Sequence, residues 1–151
     1  MIHKTAYIFT LLLFLAACTT TQNVDVPTTS APVADANLVK NIDEFKTAVK
    51  TLQPGDKIIL ANGTWTDAEL KFYGKGTAEK PITLTVQEKG KVFLEGQSNI
   101  RVGGEYMHVE GLVFRNGHTP SGSVIAFRKD KEMLCNNCRV TECVIDDYNP
   151  S

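Results

Sequence analysis

Three clusters in this chain carry residue types that can do chemistry. Cys135-Asn136-Asn137-Cys138 has the two-residue spacing of a disulfide or half a metal site, and Cys143 follows. A fourth ligand at usable spacing is missing, so zinc is disfavoured. Packed thiols are the preferred reading, with a Cys135–Cys138 disulfide as the alternative in an oxidising compartment. Arg128, Lys129 and Lys131 form a basic group after a short apolar run, suited to attracting an anionic sugar chain or simply to a solvated loop. Asp146 and Asp147 are adjacent carboxylates, but neighbours on a strand point to opposite faces, so a shared cation site is not expected. His108 and His118 read as exposed polar residues, the first on the outward phase of a strand and the second in a turn. Trp65 and Tyr73 have the flat faces that stack on sugars, yet their early position equally suits packing against a helix.

The elements that must position these groups are short strands. Lys91 to Asn116 is a series of apolar runs, each closed by Gly, Asn or a charge, and none is long enough for an ordinary helix. Part of it recurs: MHVEGLVFRN from Met107 matches CRVTECVIDD from Cys138, aligning Val109 with Val140, Leu112 with Cys143 and Phe114 with Ile145. Recurring short strands predict a stacked β architecture, with like side chains over like. Ile82 to Val86 alternates apolar residues with Thr, and Lys57 to Leu60, Val92 to Leu94, Ile100 to Val102 and Val124 to Phe127 read as further strands. About four circuits are predicted. Asn41 to Leu52 is the one convincing helix, with Asn41 as N-cap, Glu44 completing a capping box, and Ile42, Phe45, Val49 and Leu52 on one face. It is predicted to cover the open end of the stack and protect its edge.

The first residues read as an address. Lys4 precedes an apolar run from Ala6 to Ala17, too short for a comfortable span of about 20 residues and suited to a secretory signal peptide. Leu15-Ala16-Ala17-Cys18 resembles a bacterial lipobox, which makes Cys18 the expected lipidation site and the membrane a partner through that anchor. Thr19 is not an acidic retention signal, which favours the outer membrane. The expected division is residues 1–17 signal peptide, 18–37 a Thr/Pro/Ala-rich tether with no apolar period, and 38–151 the folded domain. With 16 basic and 17 acidic residues, the chain shows no electrostatic footprint for nucleic acid. The Gly-rich loop Gly74 to Pro81 lacks the strand-to-helix setting of a phosphate cradle.

Asn62-Gly63-Thr64-Trp65, Gly74 to Leu84, Gly90 to Gly96 and Gly104 to Phe114 resemble blocks of polysaccharide lyase family 6, which includes alginate lyases and chondroitinase B. Phe127 to Asp130 and Cys138 to Asp146 look closer to the alginate-cleaving members. The resemblance runs from Asn41 to the end. It implies an all-β, right-handed parallel β-helix and cleavage of uronic-acid polysaccharide, alginate first, by β-elimination. It also implies a calcium ion that screens the substrate carboxylate, a Lys as base and an Arg as acid. In the family these groups lie on later circuits, so no catalytic residue or metal ligand is assigned here, and Arg128 and Lys129 remain as substrate-binding candidates. The chain is therefore expected to be the N-terminal portion of a longer lyase, inactive alone and marginally folded. A non-catalytic glycan-binding or adhesin-like surface lipoprotein is the competing expectation.

Overall fold

The computed structural model describes residues 37–120 and 122–150. The expected signal peptide, Cys18 and nearly all of the expected tether lie outside the described residues. No described helix is long and apolar enough to cross a membrane.

The chain enters as β1 (Leu38–Val39), turns into α1 (Ile42–Val49) and then winds. The first circuit is β2 (Lys57–Leu60), β3 (Gly63–Thr66) and β4 (Glu69–Lys75), and the second is β5 (Ile82–Val86), β6 (Val92–Gly96) and β7 (Asn99–Glu105). The third is β8 (Met107–Glu110), β9 (Val113–Thr119) and a split side of β10 (Ile125–Ala126) and β11 (Cys135–Asn136). Then β12 (Arg139–Thr141) and β13 (Val144–Pro150) begin a fourth. Each side stacks in parallel on its counterpart, giving the sheets β1-β2-β5-β8-β12, β3-β6-β9-β13 and β4-β7 with β10 and β11. The result is a parallel β-solenoid of three complete circuits and two sides of another, where about four were predicted.

Alternation decides which side chains fill its interior. Successive strand residues point to opposite faces, so Ile82, Leu84 and Val86 go inward while Thr83 and Thr85 stay partly exposed. The same holds for Val92 and Leu94, for Ile100 and Val102, and for Leu70 and Phe72, all fully buried. The repeat read in the sequence is the register of the stack: Val109 pairs with Val140 and Phe114 with Ile145, while the Val144 N–H donates to the Leu112 carbonyl. Outward ladders form too, and the Arg115 guanidinium lies 3.5 Å from the Phe93 ring centroid and donates to Glu95 at 2.8 Å.

The corners need left-handed backbone. Tyr106 and Asn137, Gly111 and Glu142, and Asn116 and Asp147 have positive φ at equivalent points of successive circuits. His118 is a correction: the left-handed residue at Asn116 kinks β9 without ending it, so His118 lies exposed on that strand and not in a turn. Gly104 is obligatory, since at φ 104° an added Cβ would run into the Gly74 carbonyl of the circuit below.

The helix is capped as its sequence predicts. The Asn41 side chain accepts from the N–H groups of Asp43 and Glu44, and Glu44 reaches back to accept from Lys40 N and Asn41 Nδ2. Its buried residues, Phe45 and Val49, join the solenoid core, where the helix packs against β4.

Candidate functional site

On the outer face of the sheet built by β4 and β7, Lys71 pairs in register with Arg101, and Ala126 of β10 continues that row. Glu69 is held by both cations, at 3.0 Å from Lys71 Nζ and 3.7 Å from Arg101 Nε. After β10 the chain leaves the stack as a small hairpin. An antiparallel bridge joins Arg128 to Leu134, Lys129 N–H donates to the Met133 carbonyl at 2.9 Å, and Cys135 N–H donates to the Phe127 carbonyl at 3.1 Å. Its tip is set by Asp130, whose carboxylate accepts from the N–H groups of Met133 and Glu132. Those two bonds, with the neighbouring Lys129, hold the carboxyl below the ordinary aspartate range.

The hairpin can lie down because Gly103 has no side chain: a Cβ there would sit 2.7 Å from Lys129 Cβ and 3.0 Å from its nitrogen. Lys129 is then drawn inward, with its ammonium 4.6 Å from the Tyr73 ring centroid and 3.4 Å from Asp130. Between the sheet face and the hairpin runs an open trough of about 620 Å³, lined by Lys71, Arg101, Arg128, Lys129 and Lys131 against Glu69 and Asp130. A space of that size takes sugar units and not merely an ion.

Both sequence candidates, Arg128 and Lys129, line this trough, but in different ways. Arg128 is exposed; Lys129 is partly buried and already engaged by Tyr73 and Asp130. Lys71 and Arg101 were not singled out by sequence reasoning. Each is the outward residue between two buried apolar ones, and only the register brings them side by side. Neither aromatic candidate is free to stack on a sugar. Trp65 is buried with its Nε1–H on the Ala61 carbonyl, and Lys129 covers Tyr73.

The cysteines depart from the preferred expectation. Cys135 and Cys138 form a disulfide across a Cα–Cα distance of 5.9 Å. The left-handed corner at Asn137 turns the chain sharply enough for the two side chains to meet. Cys143 is a free thiol in the slot above Leu112, as the repeat predicts. Asp146 lies opposite Arg115, and it and Asp147 are both exposed. Among the described residues no three His, Cys, Asp or Glu side chains converge as metal ligands.

Comparison with known proteins gives this scaffold a lineage. The sequence profile of the Chondroitinase B family matches residues 39–151. The chain belongs to polysaccharide lyase family 6. Within that family it is similar to the solved structure of the alginate lyase AlyGC, with 55% identity and a TM-score of 0.71 over 72% of this chain. It also resembles a mannuronic acid-specific family 6 lyase from the human gut microbiota, at 28% identity and TM-score 0.67 over 75% of this chain. A third is the family 6 lyase Pedsa3628 of Pseudopedobacter saltans, at 33% identity and TM-score 0.65 over 73% of this chain. The chain spans only 15%, 30% and 24% of those three proteins respectively. Among curated proteins none matches it.

Proposed function

We propose that this chain is the N-terminal scaffold of a family 6 lyase that cleaves alginate by β-elimination. The observation that carries the reading is the 55% identity to an alginate lyase over 72% of this chain. In the reaction a base removes the proton at C5, its electron pair forms the C4–C5 double bond, and the C4–O glycosidic bond breaks as the leaving oxygen takes up a proton. The base, the acid and the calcium site that the family resemblance implies are assigned to circuits beyond residue 151. The chain alone is thus expected to be inactive. Its role is to start the solenoid and set the register of the later circuits. Cys18 is the proposed lipid attachment point, placing the lyase on the bacterial envelope, with the outer membrane favoured by Thr19.

The test monitors absorbance of the unsaturated uronate product on alginate with added calcium. The 151-residue chain should give no rise, and the protein continued through the downstream reading frame should give one. A rise from the short chain would overturn the placement of the catalytic groups. No rise from the continued protein, with a downstream sequence lacking an Asn, two Glu, a Lys and an Arg on one groove, would favour the non-catalytic surface lipoprotein instead. The anchor is tested by labelling cells with radioactive palmitate: label should enter the wild type and be lost in Cys18→Ser, and equal labelling of both would sink it.

A further inference from the structure

We propose that the trough between the β4–β7 face and the Arg128–Leu134 hairpin binds one uronate polymer lengthwise, independently of any catalytic centre. Arg101, Lys71, Arg128 and Lys131 meet its carboxylates, while Lys129 serves as wall. The proposal rests on the lyase reading only for the kind of acidic polymer.

The charge balance is local. Five basic side chains line the trough against two carboxylates, on a chain whose formal net charge is −1. Both carboxylates are already engaged, Glu69 by Lys71 and Arg101, and Asp130 by backbone N–H groups and Lys129. Arg128 and Lys131 have no carboxylate partner among the described residues. The trough therefore presents surplus positive charge to a polyanion.

The backbone that carries these cations is also held. A solvated basic loop would let it wander. Here the hairpin is closed by its own bridge, seated on Gly103, and succeeded at once by the Cys135–Cys138 disulfide and by β11 stacked on Gly104. Arg101 and Lys71 stand on paired strands of neighbouring circuits. Their spacing of about 4.8 Å is close to the length of one pyranose unit. A uronate chain running along the solenoid axis would thus advance by about one sugar unit per circuit. Preorganised cations lose less entropy on binding than flexible ones.

Binding of the 151-residue chain to alginate is measured by affinity electrophoresis and by calorimetry with oligouronates, using dextran as the neutral control. Wild type should be retarded by alginate and not by dextran, and retardation should weaken as salt is raised. R101Q/R128Q should weaken binding at least ten-fold, whereas K57Q, on the exposed start of β2, should leave it unchanged. E69Q removes the carboxylate that competes for Lys71 and Arg101, and should tighten binding. Independently of any variant, alginate should protect Arg101 and Arg128 of the wild type from phenylglyoxal. Equal binding by R101Q/R128Q and wild type, equal losses in R101Q/R128Q and K57Q, retardation by dextran, or no protection of either arginine would overturn the trough. Alginate cleavage by the continued protein is assayed in parallel. Cleavage with no trough binding sinks this proposal alone, and trough binding with no cleavage sinks the lyase reading alone.

Discussion

Burial tunes two side chains of this solenoid away from their ordinary chemistry. Cys143 sits half-covered above Leu112, and desolvation pushes its thiol up in pKa, outweighing two backbone contacts. A raised thiol pKa means less thiolate at mildly alkaline pH. Alkylation of Cys143 by iodoacetamide should therefore show a pH profile displaced upward from that of free cysteine, read by peptide mass spectrometry. A profile at or below that of the free amino acid would contradict the buried placement. Tyr148 shows the same physics in an acid that is neutral when protonated. Its hydroxyl donates to the Ser98 and Gly96 carbonyls, its ring meets Phe114 edge-on at 5.7 Å, and burial raises its pKa. The folded-state value lies above the unfolded one. Its contribution to stability is thus complete at neutral pH and is lost as pH climbs through the raised value. Tyr148→Phe should cost about 1 kcal/mol at pH 7, and it should flatten the fall in stability that the wild type shows in alkaline denaturation curves.

At the level of elements, the helix and the corners are the most exacting parts of the fold. α1 begins where the Asn41 side chain satisfies two free N–H groups, and its apolar stripe covers the first circuit. Asn41→Ala should cost about 1 kcal/mol in urea unfolding. Phe45→Ala, emptying a fully buried site beneath the helix, should cost about 3–5 kcal/mol. If the two variants lost equal stability, the helix would be no more than a surface decoration. Gly104, inside β7, tests the close stacking of strands from successive circuits. A Cβ there meets the Gly74 carbonyl on an already left-handed backbone, so Gly104→Ala should lose roughly 2 kcal/mol or more. Gly90→Ala has left-handed backbone too but open space around it, and should be the milder change.

Over the whole molecule, stability in a stacked fold is carried between neighbouring circuits. The first two circuits contribute the fully buried Leu60, Leu70, Leu84, Leu94 and Ile100. In the fourth, Val144 and Ile145 are about half exposed, at 49% and 51%. Amide hydrogen exchange should accordingly be slowest in β5 to β7 and fastest in β12 and β13. Uniform protection from β2 to β13 would mean that the stack opens as a single unit. Reduction of Cys135–Cys138 should raise exchange in the hairpin and β11, where the disulfide lies, and leave β2 to β6 unchanged.

Much of this architecture was legible in the chain itself. Alternation in Ile82 to Val86, the Asn41–Glu44 cap and the recurrence of Met107 to Asn116 as Cys138 to Asp147 are local patterns. Local backbone geometry converts them directly into strands, a helix start and a stacking register. The inward set was legible too, because a strand with one apolar face has one way to bury it. Tertiary structure alone decided what lies beside what on the outside. Outward positions face solvent, so no apolar pattern marks them. Lys71 and Arg101 became neighbours only when β4 and β7 stacked in register. Gly103 acquired its meaning only when the Lys129 hairpin settled on it. Three cysteines at short spacing resolved into a disulfide and a half-covered thiol because one left-handed corner, at Asn137, turned two of them together. Sequence spacing specifies the distance along the chain between such groups, and the winding of the solenoid specifies the distance in space.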